Sequence, residues 1–327
     1  MSNTTSTTPY VVDDIFGALQ IYSDGSIART KPQNLNVGVQ EDGSVIWKDV
    51  TFDPIHGLQL RLYKPSSVIT NTKLPVCYYI RGGGFCIGSR TFPPRQKYCI
   101  SLASELQAIV VSIDYRLAPE NRLPAAIDDA IAGVKWLQVQ ALSDNTDTWF
   151  TDVADFDRVF IVGDSSGGNI AHHLAVGLGA GSPAFAPVRV RGYVLLGPYF
   201  GGIERVKSEL EGQEGNSWNL DVSDRCWKLS LPVGETRDHP LANPFGPASP
   251  SLETVALDPI LVVSGSYDIL KTRIEDYKRR LKEWGKKIEY DEFEGVDHVF
   301  HLDNPDSEAS KKMMEDIKRF ITENSSN

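Results

Sequence analysis

Dense apolar runs alternate with stretches of helical periodicity along most of the chain, and that rhythm predicts the architecture. Residues 74–80, 108–113, 159–162, 190–196 and 260–263 are nearly continuous in aliphatic and aromatic side chains, the pattern of parallel strands buried on both faces. Residues 45–52 and 58–63 instead mix apolar and polar positions in rough alternation, as half-exposed antiparallel edge strands do. Between these runs, 94–104, 124–139, 168–178 and 274–284 repeat apolar residues at helical spacing, and 307–321 reads as a closing helix after a last strand at 287–293. Strands alternating with helices predict an α/β fold with a mostly parallel central sheet and helices on both faces.

Two segments fall outside the alternation. Residues 11–37 precede the first strand. Residues 200–250 form a long irregular insertion rich in Gly, Glu, Asp and Pro, with Trp218, Trp227 and Phe245 spaced through it. Insertions of that length inside a compact domain usually serve as lids or binding loops. The chain therefore reads as a single domain over residues 1–327, with cap elements at about 11–37 and 200–250. Their expected place is over the carboxyl ends of the strands, where open α/β sheets bind ligands.

Composition narrows the function. With 41% hydrophobic and 23% charged residues the chain can bury a sizeable core, and a net charge of -10 offers no basic footprint for nucleic acid. No apolar stretch reaches the length of a membrane span. The polar, Thr-rich start lacks the charged-then-apolar order of a secretory signal, so a soluble, cytoplasmic protein is expected. Cys77, Cys86, Cys99 and Cys226 have neither paired nor zinc-like spacing, which predicts buried free thiols and no metal.

The chemistry concentrates after the strand at 159–162. There Gly163-Asp164-Ser165-Ser166-Gly167-Gly168 leads into a helical pattern, the strand, tight turn and helix of a nucleophile elbow. The turn is sharp enough to require nearly side-chain-free positions at Gly163 and Gly167, and the helix start beneath places partial positive charge near Ser165. A serine hydroxyl is a weak nucleophile at neutral pH and needs a base, itself held in the right tautomer by an acid. Of the six histidines, His298 lies in the segment 294–300 that directly follows the last strand, and Asp268 in the segment 264–270 that directly follows the strand at 260–263. Both then lie on the same sheet edge as Ser165, in the chain order Ser, Asp, His. His301 competes as base but lies farther past the strand end, and Asp268 also suits a helix N-cap, a role compatible with orienting a histidine.

Acyl transfer further needs donors for an oxyanion. After the strand at 74–80 comes Arg81-Gly82-Gly83-Gly84-Phe85, whose glycines let backbone amides approach a substrate. The N–H groups of Gly83, Gly84 and Ser166 are the candidate oxyanion hole. A phosphate loop is the competing assignment for this run, but no GK[ST] ending follows it.

In these residues the chain resembles the plant carboxylesterases of the hormone-sensitive lipase group, whose relatives include the gibberellin receptors. The matching pieces are Gly82 to Gly84, Asp114-Tyr115-Arg116-Leu117-Ala118-Pro119-Glu120, Leu123-Pro124-Ala125-Ala126, the elbow, and the Asp268 and His298 loops. Phe85-Cys86-Ile87-Gly88-Ser89-Arg90 and Ala242-Asn243-Pro244-Phe245-Gly246-Pro247 look most like the carboxylesterase 15 subgroup. The resemblance implies an α/β-hydrolase core, a helical cap from the N-terminus, no cofactor, and a small-molecule ester substrate. Members of that subgroup are linked to strigolactone-type hormones, and related hydrolases to alkaloid pathways, where ester cleavage with decarboxylation, elimination or cyclisation are alternative outcomes. A non-catalytic receptor is a further alternative, but those relatives lack the histidine present here as His298. The family pattern opens its glycine loop with His, where this chain has Arg81. That arginine either orders the loop through its fork of donors or favours negatively charged substrates.

Overall fold

The computed structural model describes residues 8–30, 42–67, 73–143, 146–212 and 218–325. Its centre is an eight-stranded sheet in the order β11-β10-β9-β8-β6-β7-β5-β4. These strands are β4 (Val45–Asp53), β5 (Leu58–Pro65), β6 (Leu74–Ile80), β7 (Ile109–Ile113), β8 (Ala154–Asp164), β9 (Val190–Leu196), β10 (Ile260–Gly265) and β11 (Ile288–Phe293). From β7 to β11 every neighbouring pair is parallel, whereas β5 runs antiparallel to both β7 and β4.

Residue alternation explains why the central strands are apolar throughout. In β6, Leu74, Val76, Tyr78 and Ile80 join one core while Cys77 and Tyr79 join another on the opposite face. The first core is closed by helices α2 (Ala125–Leu142), α3 (Ser166–Leu178) and α6 (Lys271–Glu283); the second is closed by α1 (Pro93–Leu106) and the C-terminal Glu308–Asn324 helix. A strand covered on both sides has no position where a polar side chain is cheap to bury.

Of the two strands expected at an edge only β4 lies there; β5 sits between β4 and β7 and is buried along most of its length. Its polar alternation survives burial because the charge is matched: Arg61 donates from Nε to Asp49 Oδ1 at 2.8 Å and lies 3.8 Å above the Trp47 ring.

The N-terminal segment also departs from the helical form that the family resemblance implied. Residues 11–29 make a small antiparallel meander of β1 (Val11–Ile15), β2 (Leu19–Tyr22) and β3 (Ile27–Arg29). Phe16 and Gly17 both have positive φ, at 53° and 66°, as the central residues of a turn closed by Ala18 N–H donating to Ile15 O at 2.9 Å. Residues 31–37 of the expected cap element lie outside the described residues.

The insertion between β9 and β10 carries α4 (Lys207–Leu210) and α5 (Leu220–Ser230). Arg225 of α5 donates to Asp13 Oδ1 at 2.9 Å and to the Asp14 carbonyl at 2.6 Å, joining the insertion to β1. Arg29 of β3 donates to the carbonyls of Cys86 and Ala118, at 2.6 and 2.7 Å, in the loops after β6 and β7. Both irregular segments are thus fastened to one end of the sheet. The four cysteines are free and buried, and no helix among the described residues is long and apolar enough to cross a membrane.

Phe320 of the C-terminal helix packs against Phe160 at a centroid distance of 6.4 Å, and a Cβ on Gly192 would approach its ring to 3.0 Å. Phe320→Ala therefore opens a cavity with little room to collapse. It is expected to cost about 3–5 kcal/mol in urea unfolding, whereas a loss below about 1 kcal/mol would show that the helix is not locked to the sheet there.

Candidate active site

The crossover that sends β7 to one side of β6 and β8 to the other leaves a crevice at the carboxyl ends of β6 and β8. Two chain segments meet there, the glycine loop after β6 and the turn after β8. At that turn Ser165 stands at φ 53°, ψ -118°, a conformation costing a non-glycine residue on the order of 1–3 kcal/mol. The glycines beside it have no spare space. A Cβ on Gly163 would lie 2.2 Å from the Gly167 carbonyl oxygen, and one on Gly167 would lie 1.9 Å from that of Ile80.

His298 and Asp268 arrive from the two strands farther along the sheet. The loop after β11 is stapled to the loop after β10: Ser266 N–H donates to Phe293 O at 2.9 Å, Tyr267 N–H to Val296 O at 3.0 Å, and Gly295 N–H to Ser266 Oγ at 2.8 Å. Gly265 permits the crossing, since a Cβ there would meet the Val296 carbonyl oxygen at 2.4 Å. The result is a continuous hydrogen-bonded chain. Asp268 Oδ2 and His298 Nδ1 are 2.8 Å apart, and His298 Nε2 and Ser165 Oγ are 2.9 Å apart. A carboxylate can only accept, so Nδ1 carries the proton, which leaves Nε2 of the neutral ring as acceptor for the serine hydroxyl. Asp268 Oδ1 also accepts the Leu270 N–H at 2.8 Å, which fixes its carboxylate locally; the N-cap of α6 is Leu270, so Asp268 is not the helix cap that its position in the sequence suggests.

Burial alone would push the His298 pKa down, but the charge of Asp268 and its hydrogen bond outweigh that, and the net shift is upward from the ordinary 6.5. His301 is different. It packs against Tyr98, with centroids 4.6 Å apart, and burial pushes its pKa down to about 4. The structure thus brings His298, and not His301, to the serine.

The glycine loop is held from two sides. Arg81 is 1% exposed and spends its guanidinium on the protein itself: Nε on Asp114 at 3.2 Å, Nη1 on the Ile87 carbonyl at 3.0 Å, and its face 4.1 Å over the Tyr115 ring. Gly83 and Gly84 have φ of 127° and 56°, open only to glycine at low cost, and a Cβ on Gly83 would sit 2.1 Å from the Ile87 carbonyl oxygen. Their N–H groups and that of Ser166, which begins α3 beside the serine, have no acceptor among the described residues.

On the other side lies a contact that sequence reasoning missed. Asp164, the residue before the serine, is fully buried; its Oδ1 accepts from Gly82 N–H at 3.1 Å and from Tyr79 O–H at 2.5 Å. Arg95 of α1 grips both carboxylate oxygens at 2.8 and 2.7 Å. Burial opposes the charge on Asp164, but Arg95 and these hydrogen bonds prevail and hold its pKa below the usual carboxylate value. Gly197, at the end of β9, was missed as well. A Cβ there would lie 3.2 Å from Asp268 Oδ2 and from the His298 ring. Among the described residues no cluster of three His, Cys, Asp or Glu side chains could hold a metal ion.

Strand order, turn and loop placement are those of an α/β-hydrolase. The chain belongs to the alpha/beta hydrolase fold family, whose model matches residues 77–302, more than half of its length. It is 31% identical over 321 residues to "Probable carboxylesterase 2" of Arabidopsis thaliana, covering 97% of this chain and 98% of that protein. It is 38% identical over 251 residues to "3-O-acetylpapaveroxine carboxylesterase CXE2" of Papaver somniferum, covering 74% and 80%. Among solved structures, an esterase from Pyrobaculum calidifontis superposes with a TM-score of 0.69 at 28% identity, covering 84% of each chain.

The Arg95–Asp164 pair yields a test. Arg95→Met leaves a buried carboxylate without its cation and is expected to cost about 3–5 kcal/mol in urea unfolding. Adding Asp164→Asn should recover much of that loss, because no unpaired charge remains. Additive losses in the double variant would contradict the account.

Proposed function

We propose that the protein is a serine carboxylesterase that cleaves a small-molecule carboxylic ester through an acyl-enzyme intermediate. The observation that carries this is the unbroken chain from Asp268 through His298 to Ser165, beside three amide donors that no described residue uses. In this proposal His298 Nε2 takes the hydroxyl proton as Ser165 Oγ attacks the ester carbonyl carbon. The electron pair of the C=O bond moves to oxygen, where the N–H groups of Gly83, Gly84 and Ser166 receive the oxyanion, each worth about 3 kcal/mol in comparable sites. His298 then returns the proton to the departing alkoxide, leaving the acyl group on Ser165. Water enters, gives its proton to His298, attacks the acyl carbon, and the acid leaves as Oγ is reprotonated. Asp268 keeps the imidazole oriented and stabilises its charged form.

Arg81 is assigned to ordering the glycine loop. Its partners lie in the loop and in the Asp114–Tyr115 segment, which supports positioning and gives no support to binding an anionic substrate. Residues 11–37 and 200–250 are proposed as the cap, supported by the ties from Arg225 to β1 and from Arg29 to the loops after β6 and β7. A setting in plant specialised metabolism is favoured by the poppy relative, which is named for cleavage of an acetylated compound. Four free, buried cysteines suit a reducing compartment such as the cytosol.

Ser165→Ala is expected to abolish turnover of a generic aryl ester while leaving the urea midpoint close to that of the parent; full activity in that variant would refute the proposal. The pH profile adds a second check. Hydrolysis needs neutral His298, so kcat/KM should rise with pH through a midpoint above 6.5, since Asp268 raises the histidine pKa. Asp268→Asn removes that contribution, so the midpoint should move to lower pH and kcat should fall by on the order of 10⁴-fold. An unmoved midpoint would remove Asp268 from the mechanism.

A further inference from the structure

Ser165 and His298 are each only 4% exposed, and the Trp218 ring packs against His298. Its ring lies nearly parallel to the His298 imidazole, centroids 5.6 Å apart at 25°. The far edge of the same indole reaches the oxyanion loop, where a Cβ on Gly84 would lie 2.8 Å from Cη2, beside Cys226 Sγ at 2.7 Å. One aromatic ring thus bridges the base and the glycine loop.

The indole is held in place. Trp218 immediately precedes Asn219, whose side chain caps α5 by accepting from Val222 N–H at 3.1 Å. Tyr199 meets it edge-on at 5.3 Å and 83°, and Tyr199 is itself stacked on Trp227 at 4.2 Å and fixed by its hydroxyl donating to Ser223 O at 2.6 Å. A ring packed in this way does not yield cheaply to a bulky group.

We infer that Trp218 is the residue that limits the size of the acyl group the enzyme accepts. The inference rests on the serine-esterase proposal and follows from the corners of the tetrahedral centre. One corner is Ser165 Oγ. A second is the oxyanion, at the amides of Gly83 and Gly84. The departing oxygen takes a third, at Nε2, and so lies in the plane of the imidazole. The indole lies against the imidazole face and extends to Gly84, so the corner it confronts is the remaining one, occupied by the acyl chain. A short or flat acyl group slides beneath the ring; a long or branched one collides with it in the transition state, where the penalty falls on kcat/KM.

The test compares p-nitrophenyl acetate, butyrate, hexanoate and octanoate on the full chain, the Trp218→Ala variant and the Trp218→Phe variant. A parallel series keeps acetate constant and enlarges the alcohol from phenyl to 1-naphthyl. Trp218→Ala should raise the hexanoate-to-acetate ratio of kcat/KM by about 10-fold or more, the usual scale of selectivity from a few methylenes. Trp218→Phe, which keeps a ring, should stay within about threefold of the parent. If the alanine variant fails to fold, Trp218→Leu carries the same comparison. An unchanged ratio in a folded variant that still reacts with a serine-directed phosphonate overturns the inference, as does a change confined to the alcohol series. Absence of both ester turnover and phosphonate labelling in the parent would instead bring down the esterase proposal itself.

Discussion

Everything at this site depends on how closely three backbone segments approach one another beneath Ser165. The serine can hold φ 53° only because the flanking chain clamps it, with the carbonyls of Gly167 and Ile80 occupying the space that side chains at Gly163 and Gly167 would need. Strain of about 1–3 kcal/mol is sustained by the packed sheet below. In return the hydroxyl reaches His298 Nε2, and the next amide, that of Ser166, is left without an acceptor among the described residues. Neither a looser turn nor a different residue at the two glycines could do both.

A buried charge ties this turn to its partner loop. Asp164 would be costly in so apolar a setting without compensation. Its carboxylate is satisfied by Arg95 on two oxygens, by Tyr79 and by the backbone N–H of Gly82. One side chain therefore ties the elbow to the glycine loop, while Arg81, at the start of that loop, is held by Asp114 and Tyr115 and reaches across to the Ile87 carbonyl. Buried ion pairs of this kind add little net stability, because desolvating the two charges offsets most of their attraction. The same logic of close approach recurs at Gly197 and Gly265, where missing side chains admit the Asp268 and His298 loops.

Much of this was legible in the residues alone, and the limits have physical causes. The strand at 190–196 and the central parallel order follow from apolar density, because a doubly covered strand tolerates little else. Ser165, Asp268 and His298 could be named because each sits in the turn or loop that follows a strand, and the structure brings them within hydrogen-bonding distance. The buried setting of β5 was misjudged, since periodicity cannot tell a polar residue facing water from Arg61 paired with Asp49. Residues 11–29 carry the β-branched and glycine-turn signals of a meander, which the family resemblance overrode in favour of helix. Arg95 and Trp218 were beyond reach for another reason. Their partners lie 69 residues away in Asp164 for the first, and in His298 and Gly84 for the second, so only the folded chain defines what they do.

Activation of Ser165 as a nucleophile through His298 is probed by incubating the protein with a fluorophosphonate and measuring its intact mass, followed by peptide mapping. One phosphonyl group on Ser165 is predicted, with labelling slowed at least about 10³-fold in His298→Ala, as expected when the base of a linked catalytic unit is removed. An adduct on another residue, or labelling of Ser165 at an undiminished rate without His298, would contradict the account.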